Sequence, residues 1–150
     1  MRKLNTMSMR TRLGFSLLLA GLAALPSCRG VPQPPPVETA GLRIDVEKVK
    51  QGRNGVVVEV RIWNKYEQTM SFTNDSVRML VSDDEEISGD PYRSPWRRGT
   101  PTVQAKGNLD FRWMFKPMGE LPRGNYKVEI RDFMIDGVPT GKTAQFEVAL

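Results

Sequence analysis

From residue 41 to the C-terminus, apolar and polar residues alternate with a period of two. Leu42, Ile44 and Val46 are interleaved with Arg43, Asp45 and Glu47, and Val56, Val58, Val60 and Ile62 with Val57, Glu59, Arg61 and Trp63. Val77, Met79 and Val81 continue the pattern, as do Leu109, Phe111, Trp113 and Phe115 against Asp110, Arg112, Met114 and Lys116. Tyr126, Val128 and Ile130, then Ala144, Phe146 and Val148, complete it. Successive side chains of a strand point to opposite faces, so each run predicts a strand with one buried and one wet face. No stretch carries the 3.6-residue period of an amphipathic helix.

Turn chemistry separates the runs. Asn54-Gly55 offers two positive-φ residues for a tight hairpin, and Asp83-Asp84 with Gly89-Asp90-Pro91 ends the Val77 run. Pro117, Gly119, Pro122 and Gly124 form the next break, and Asp136-Gly137, Pro139 and Gly141 open the last hairpin. About seven short strands over roughly 110 residues predict an all-β antiparallel sandwich. Parity puts Trp63 on its outer face.

The first 27 residues are of another kind. Arg2, Lys3, Arg10 and Arg12 precede a 13-residue apolar run, LGFSLLLAGLAAL, that ends at Leu25. A basic segment followed by a short apolar one describes a secretory signal peptide, too short to span a bilayer comfortably. Next comes Leu25-Pro26-Ser27-Cys28. These four residues resemble a bacterial lipobox, with Leu at −3, a small residue at −1, Cys at +1, and Pro26 at −2 as the departure. The resemblance implies cleavage before Cys28 and a covalent diacylglycerol and fatty acyl group on it, an anchor that holds a protein on a membrane stably. An ordinary secretory cleavage and an uncleaved anchor are the alternatives. Arg29, rather than Asp, at +2 points to the periplasmic face of an outer membrane.

Arg29 to Ala40 reads RGVPQPPPVETA, and its four prolines favour extended polyproline II. A spacer of this length reaches about 35 Å. The expected organisation is a signal peptide over 1–27, a lipidated Cys and proline tether over 28–40, and a β domain over 41–150.

Composition matters once this division is made. The whole chain has 22 Lys+Arg against 17 Asp+Glu, a net charge of +5. Removing the four basic residues of the signal segment leaves 18 against 17, so the mature chain is near neutral and nucleic acid is not expected as a partner. With no His and one Cys, the chain has no Ser–His or Cys–His pair and no internal disulfide. No cofactor, metal or enzymatic activity is expected.

Leu121-Pro122-Arg123-Gly124-Asn125-Tyr126-Lys127-Val128 resembles the L-P-x-G-x-Y-x-V segment of bacterial immunoglobulin-like domains, and Gly55–Asn64 resembles their second strand. That resemblance implies an immunoglobulin-like β-sandwich in which Tyr126 has a structural role, its hydroxyl returning to backbone a few residues upstream. It is similar to the immunoglobulin-like lipoproteins of bacterial envelopes.

Candidate chemistry is sparse. Asp83-Asp84-Glu85-Glu86 is read as a solvated turn, and the scattered Met70, Met79, Met114, Met118 and Met134 as core filling. The loop Tyr92-Arg93-Ser94-Pro95-Trp96-Arg97-Arg98 gathers the residue types that dominate interface hot spots. Tyr92, Arg93, Trp96, Arg97 and Arg98 are therefore the candidate partner-binding residues, for an envelope protein or an acidic polymer. Alternatively Trp96 closes one end of the core, the loop lines a glycan or small-ligand site, or the domain is a structural or assembly subunit.

Overall fold

The alternation is realised strand by strand in a computed structural model, which describes residues 30–93 and 100–150. β2 (Leu42–Gly52), β3 (Gly55–Asn64) and β8 (Asn108–Phe115) pair antiparallel, Ile44 opposite Ile62 and Val60 opposite Phe111. β5 (Val77–Leu80), β9 (Asn125–Arg131) and β12 (Thr143–Ala149) form a second antiparallel set. The apolar members of these runs face one another. Leu42, Val58, Ile62, Val77, Met79, Phe115, Ile130 and Val148 are fully buried. At the centre, Phe111 and Trp113 stack with ring centroids 5.5 Å apart, and Phe72 tilts against both. Side chains of this size dominate the energetics of a core.

The two sets are not separate sheets. β6 (Glu86–Pro91) joins them, pairing with β5 through Glu86–Ser88 and with β8 through Gly89–Pro91. The Gly89-Asp90-Pro91 segment, expected to end a strand, is therefore the half of one that crosses over. Gly89 makes the crossing possible. A Cβ there would lie 2.9 Å from the Phe115 ring and 3.0 Å from Val77, so only a glycine lets the backbone pass this close to the core. With β1 (Val37–Thr39) at one end, the result is one eight-stranded sheet in the order β1-β2-β3-β8-β6-β5-β9-β12, curled nearly closed.

A small second sheet caps one end: β4 (Met70–Ser71), β7 (Thr102–Val103), β10 (Met134–Ile135) and β11 (Val138–Pro139). These pieces are too short for an alternating pattern to register. Asp136-Gly137 turns β10 into β11 with both residues at positive φ. At the Asn54-Gly55 hairpin only Gly55 has positive φ, and a Cβ there would lie 2.2 Å from the Phe115 carbonyl oxygen. Among the described residues there is no α-helix, only a 3-10 turn at Asn74–Ser76.

The seam between the sheet's two ends involves the proline segment. Val37–Thr39 is β1, which pairs with β2. Ala40 and Gly41, both at positive φ, form the turn between them. The Gln33 amide clamps the far side: its Nε2 donates to Ala149 O, and its Oε1 accepts from Ala149 N, both at 3.0 Å. Gln145 N donates to Thr39 Oγ1 at 3.2 Å. The segment expected to stand free through residue 40 is thus docked from Gln33 onward.

At the capped end, buried Asn64 ties the β3–β4 and β7–β8 connections together. Its Nδ2 lies within hydrogen-bond reach of the carbonyls of Gln68, Val103 and Gln104, and its Oδ1 accepts from Tyr66 N at 2.9 Å. Replacing Asn64 by Ala strands these groups in the interior, at a cost on the order of 3 kcal/mol. The expected reading is a lower midpoint in urea denaturation at unchanged slope.

Candidate functional site

The loop singled out by sequence begins where β6 leaves the sheet. Tyr92 N donates to Arg112 O at 2.9 Å and so extends the β6–β8 ladder one residue past the strand. Arg93 then turns the chain with φ at 49°, and its guanidinium sits 5.2 Å from the Tyr92 ring centroid. Beside Tyr92 is a recess of about 350 Å³ lined with Asp90, Pro91, Met114 and Lys116. Lys116 Nζ meets Asp90 Oδ2 at 3.2 Å. Tyr92 is half-buried and Arg93 exposed. The margin therefore offers an aromatic ring with a cation over it. Trp96, Arg97 and Arg98 lie outside the described residues, as do Cys28 and the N-terminal segment through Arg29. Tyr126, at the other end of the sheet, donates its hydroxyl to Pro122 O at 2.8 Å.

Trp63 lies on the outer face, as its parity requires, between Arg43 at 5.0 Å and Arg61 at 5.9 Å. Arg61 is already engaged. It meets Asp110 Oδ1 at 2.6 Å and Glu47 Oε1 at 3.1 Å. Its hydrogen bond to Asp110 raises its pKa and lowers that of Asp110. Arg112 pairs likewise with Glu59 at 3.1 Å. Cross-strand ion pairs thus neutralise much of this face, which makes it a poor platform for an anionic polymer.

The acidic run forms the hairpin between β5 and β6. Val81 N donates to Glu85 O at 2.8 Å, closing a tight turn. Glu86 is committed to Arg131 at 2.7 Å and Arg78 at 3.5 Å, and Glu129 to Arg131 and Gln145. Among the described residues, no three acidic or Cys side chains gather to hold a metal ion.

Sequence reasoning passed over the end of the sheet where the described chain begins. There Val31, the β2–β3 turn, the loop from Pro117 to Arg123 and the C-terminal Leu150 enclose an open cavity of about 880 Å³. Gln51 Nε2 donates to Leu121 O at 2.9 Å and ties the turn to the loop. Met118 lies on this rim fully exposed. Of the methionines expected to fill the core, Met70 and Met79 do so and Met118 does not. No period marks it out: like the buried Met70, it lies outside every alternating run.

No protein-family model matches the chain, and no curated protein matches it in sequence. A likeness of fold does exist. The crystal structure of a putative lipoprotein (ycdA) from Bacillus subtilis subsp. subtilis str. 168 matches with a TM-score of 0.54 at 11% sequence identity. The match covers 76% of this chain and 38% of that one, so it spans well under half of that protein's length.

The Glu86–Arg131 contact makes stability depend on pH. The hydrogen bond from Arg131 is the main cause that holds the Glu86 carboxyl below its ordinary value. A carboxyl lowered on folding contributes stability above its unfolded pKa and loses it as pH falls through the folded one. Glu86→Gln should therefore be less stable than wild type at neutral pH, with the gap closing as the solution is acidified below the ordinary carboxylate range. Denaturation midpoints measured across that range check it; a gap that stays constant with pH contradicts it.

Proposed function

We propose that this protein is a bacterial envelope lipoprotein, anchored through acyl chains on Cys28, whose β domain binds a partner protein or an acidic envelope polymer without catalysing a reaction. The observation that carries the reading is the placement of the chain's lone cysteine. It ends a signal-peptide-like segment in a lipobox-like setting, five residues before Gln33 clamps onto the domain. The fold likeness to a protein described as a lipoprotein supports it. The absence of His from the chain supports a binding role over acid–base or nucleophilic catalysis. Arg29 after the cysteine favours the outer membrane as its location.

We read the curled sheet as an immunoglobulin-like sandwich whose two layers share β6. The β2-β3-β8 and β5-β9-β12 sets supply the layers, and the Tyr126 hydroxyl bound to Pro122 O is the corner such domains carry. In that frame the β6–β7 loop, with Tyr92, Arg93, Trp96, Arg97 and Arg98, is the contact. Rigid scaffolds present their binding residues on loops of this kind. Tyr92 with Arg93 over its ring supplies the described half of a surface that combines aromatic area with positive charge.

Metabolic labelling with a fatty acid tests the anchor. Wild type should take up label and Cys28→Ser should not; equal labelling overturns the assignment. Capture of envelope components on the tagged full chain tests the loop. Trp96→Ala should reduce the captured material at least several-fold, and an unchanged yield removes the loop from the binding role.

A further inference from the structure

Among the described residues, three large apolar side chains are exposed: Val31 at 48%, Met118 at 102% and Val138 at 65%. Val31 and Met118 line the same open cavity, at the end where the described chain begins. Val138, on β11, belongs to the small sheet at the opposite end. Single exposed apolar residues are ordinary. Two on one cavity rim, one of them without any protein cover, are a more specific observation.

Arg53 and Arg123 line that cavity as well, and both are exposed, with Glu120 as the one acid among the lining residues. A surface that offers apolar side chains between guanidinium groups suits the boundary between lipid headgroups and acyl chains. Apolar groups enter that boundary while cations stay at the phosphates.

Chain connectivity says which surface is within reach. Gln33 is fixed to Ala149 by two hydrogen bonds, and only residues 29–32 separate it from Cys28. Even fully extended, the five steps from Cys28 to Gln33 span at most about 18 Å. A cysteine held in a bilayer therefore keeps this end of the domain beside that bilayer, and the small sheet faces away. The acidic hairpin between β5 and β6 lies at the same end, next to Asn125, on the neighbouring margin. Negatively charged lipid then draws the Arg53 and Arg123 side closest.

We infer that this end is a lipid-contact surface, in which Val31 and Met118 enter the headgroup boundary of the membrane that carries the protein's own anchor and Arg53 and Arg123 engage lipid phosphates. The inference rests on acylation of Cys28, and the test separates the two. The full chain is purified from membranes of a bacterium that expresses it and reconstituted into vesicles of phosphatidylethanolamine and phosphatidylglycerol. Single Met118→Cys and Val138→Cys variants carry an environment-sensitive fluorophore. Both positions are exposed, so neither substitution opens the core. Nitroxide-labelled lipid should quench the probe at position 118 several-fold more than the probe at position 138, and aqueous iodide should show the reverse. Adding Arg53→Glu and Arg123→Glu should reduce the lipid quenching at position 118 about twofold or more, and unchanged quenching there overturns the phosphate contacts. Protein that floats with the vesicles but shows equal quenching at both positions overturns the lipid contact and leaves the anchor standing. Protein that fails to float, with an unmodified Cys28 by mass, overturns both.

Discussion

An antiparallel sheet has two edges with unpaired backbone groups, and this fold depends on how its edges are brought together. Exposed edges invite pairing with other chains, and closing the sheet on itself removes them. Here the closure uses two unlike devices. On one side, β6 passes from β5 to β8 at Gly89, so the two strand sets share a member and no edge forms. On the other, β12 meets β1 and β2 across a seam where side chains stand in for a backbone ladder. The Gln33 amide and the Thr39 hydroxyl satisfy Ala149 and Gln145, and the prolines between them have no N–H to offer. A recess of about 380 Å³ remains there, lined with Pro34–Pro36, Ile44, Val46 and Phe146. The proline segment is thus also the last piece of the sheet.

Why some of this was legible in the sequence and some was not follows from how each element is stabilised. β3 reads plainly because every second residue from Val56 to Ile62 is buried by the same core, so the pattern and the burial are the same fact. β6 does not read at all. Its one buried residue is Gly89, whose contribution is the absence of a side chain, and no hydropathy pattern registers that. Phe72 and Phe133 are fully buried yet sit in irregular backbone between short strands, so no period marks them. Gln33 is the hardest case. A polar residue among prolines looks like solvent-facing spacer, and only its register against Ala149, 116 residues away, makes it a clamp.

The candidate site divides along the same line. Tyr92 and Arg93 could be picked out because aromatic and guanidinium groups carry recognisable chemistry wherever they occur. Met118 could not be, because its meaning comes from exposure, which composition does not encode. Charge behaves similarly. The outer face around Trp63 has several arginines, but Arg61 and Arg112 are matched across strands by Asp110, Glu47 and Glu59, so the charge a partner meets is smaller than the count suggests. Arg53 and Arg123 share their rim with a single acid, and their charge remains available to a partner.

Docking of the proline segment also changes what a lipid anchor would do. A free twelve-residue spacer gives a domain about 35 Å of reach and leaves its orientation undefined. With Gln33 fixed, the free length falls to residues 29–32, and the tether sets orientation as well as distance. On an anchored chain the small sheet and its turns would face away from the bilayer, toward whatever shares the compartment. The β6–β7 loop leaves β6 beside Arg112, partway up the sheet, because β6 runs away from the Phe115 end as it pairs with β8. A partner reached by that loop would approach from the side of an upright domain. In a chain anchored at Cys28, the same clamp that closes the sheet would thereby decide which surfaces meet lipid and which meet other molecules.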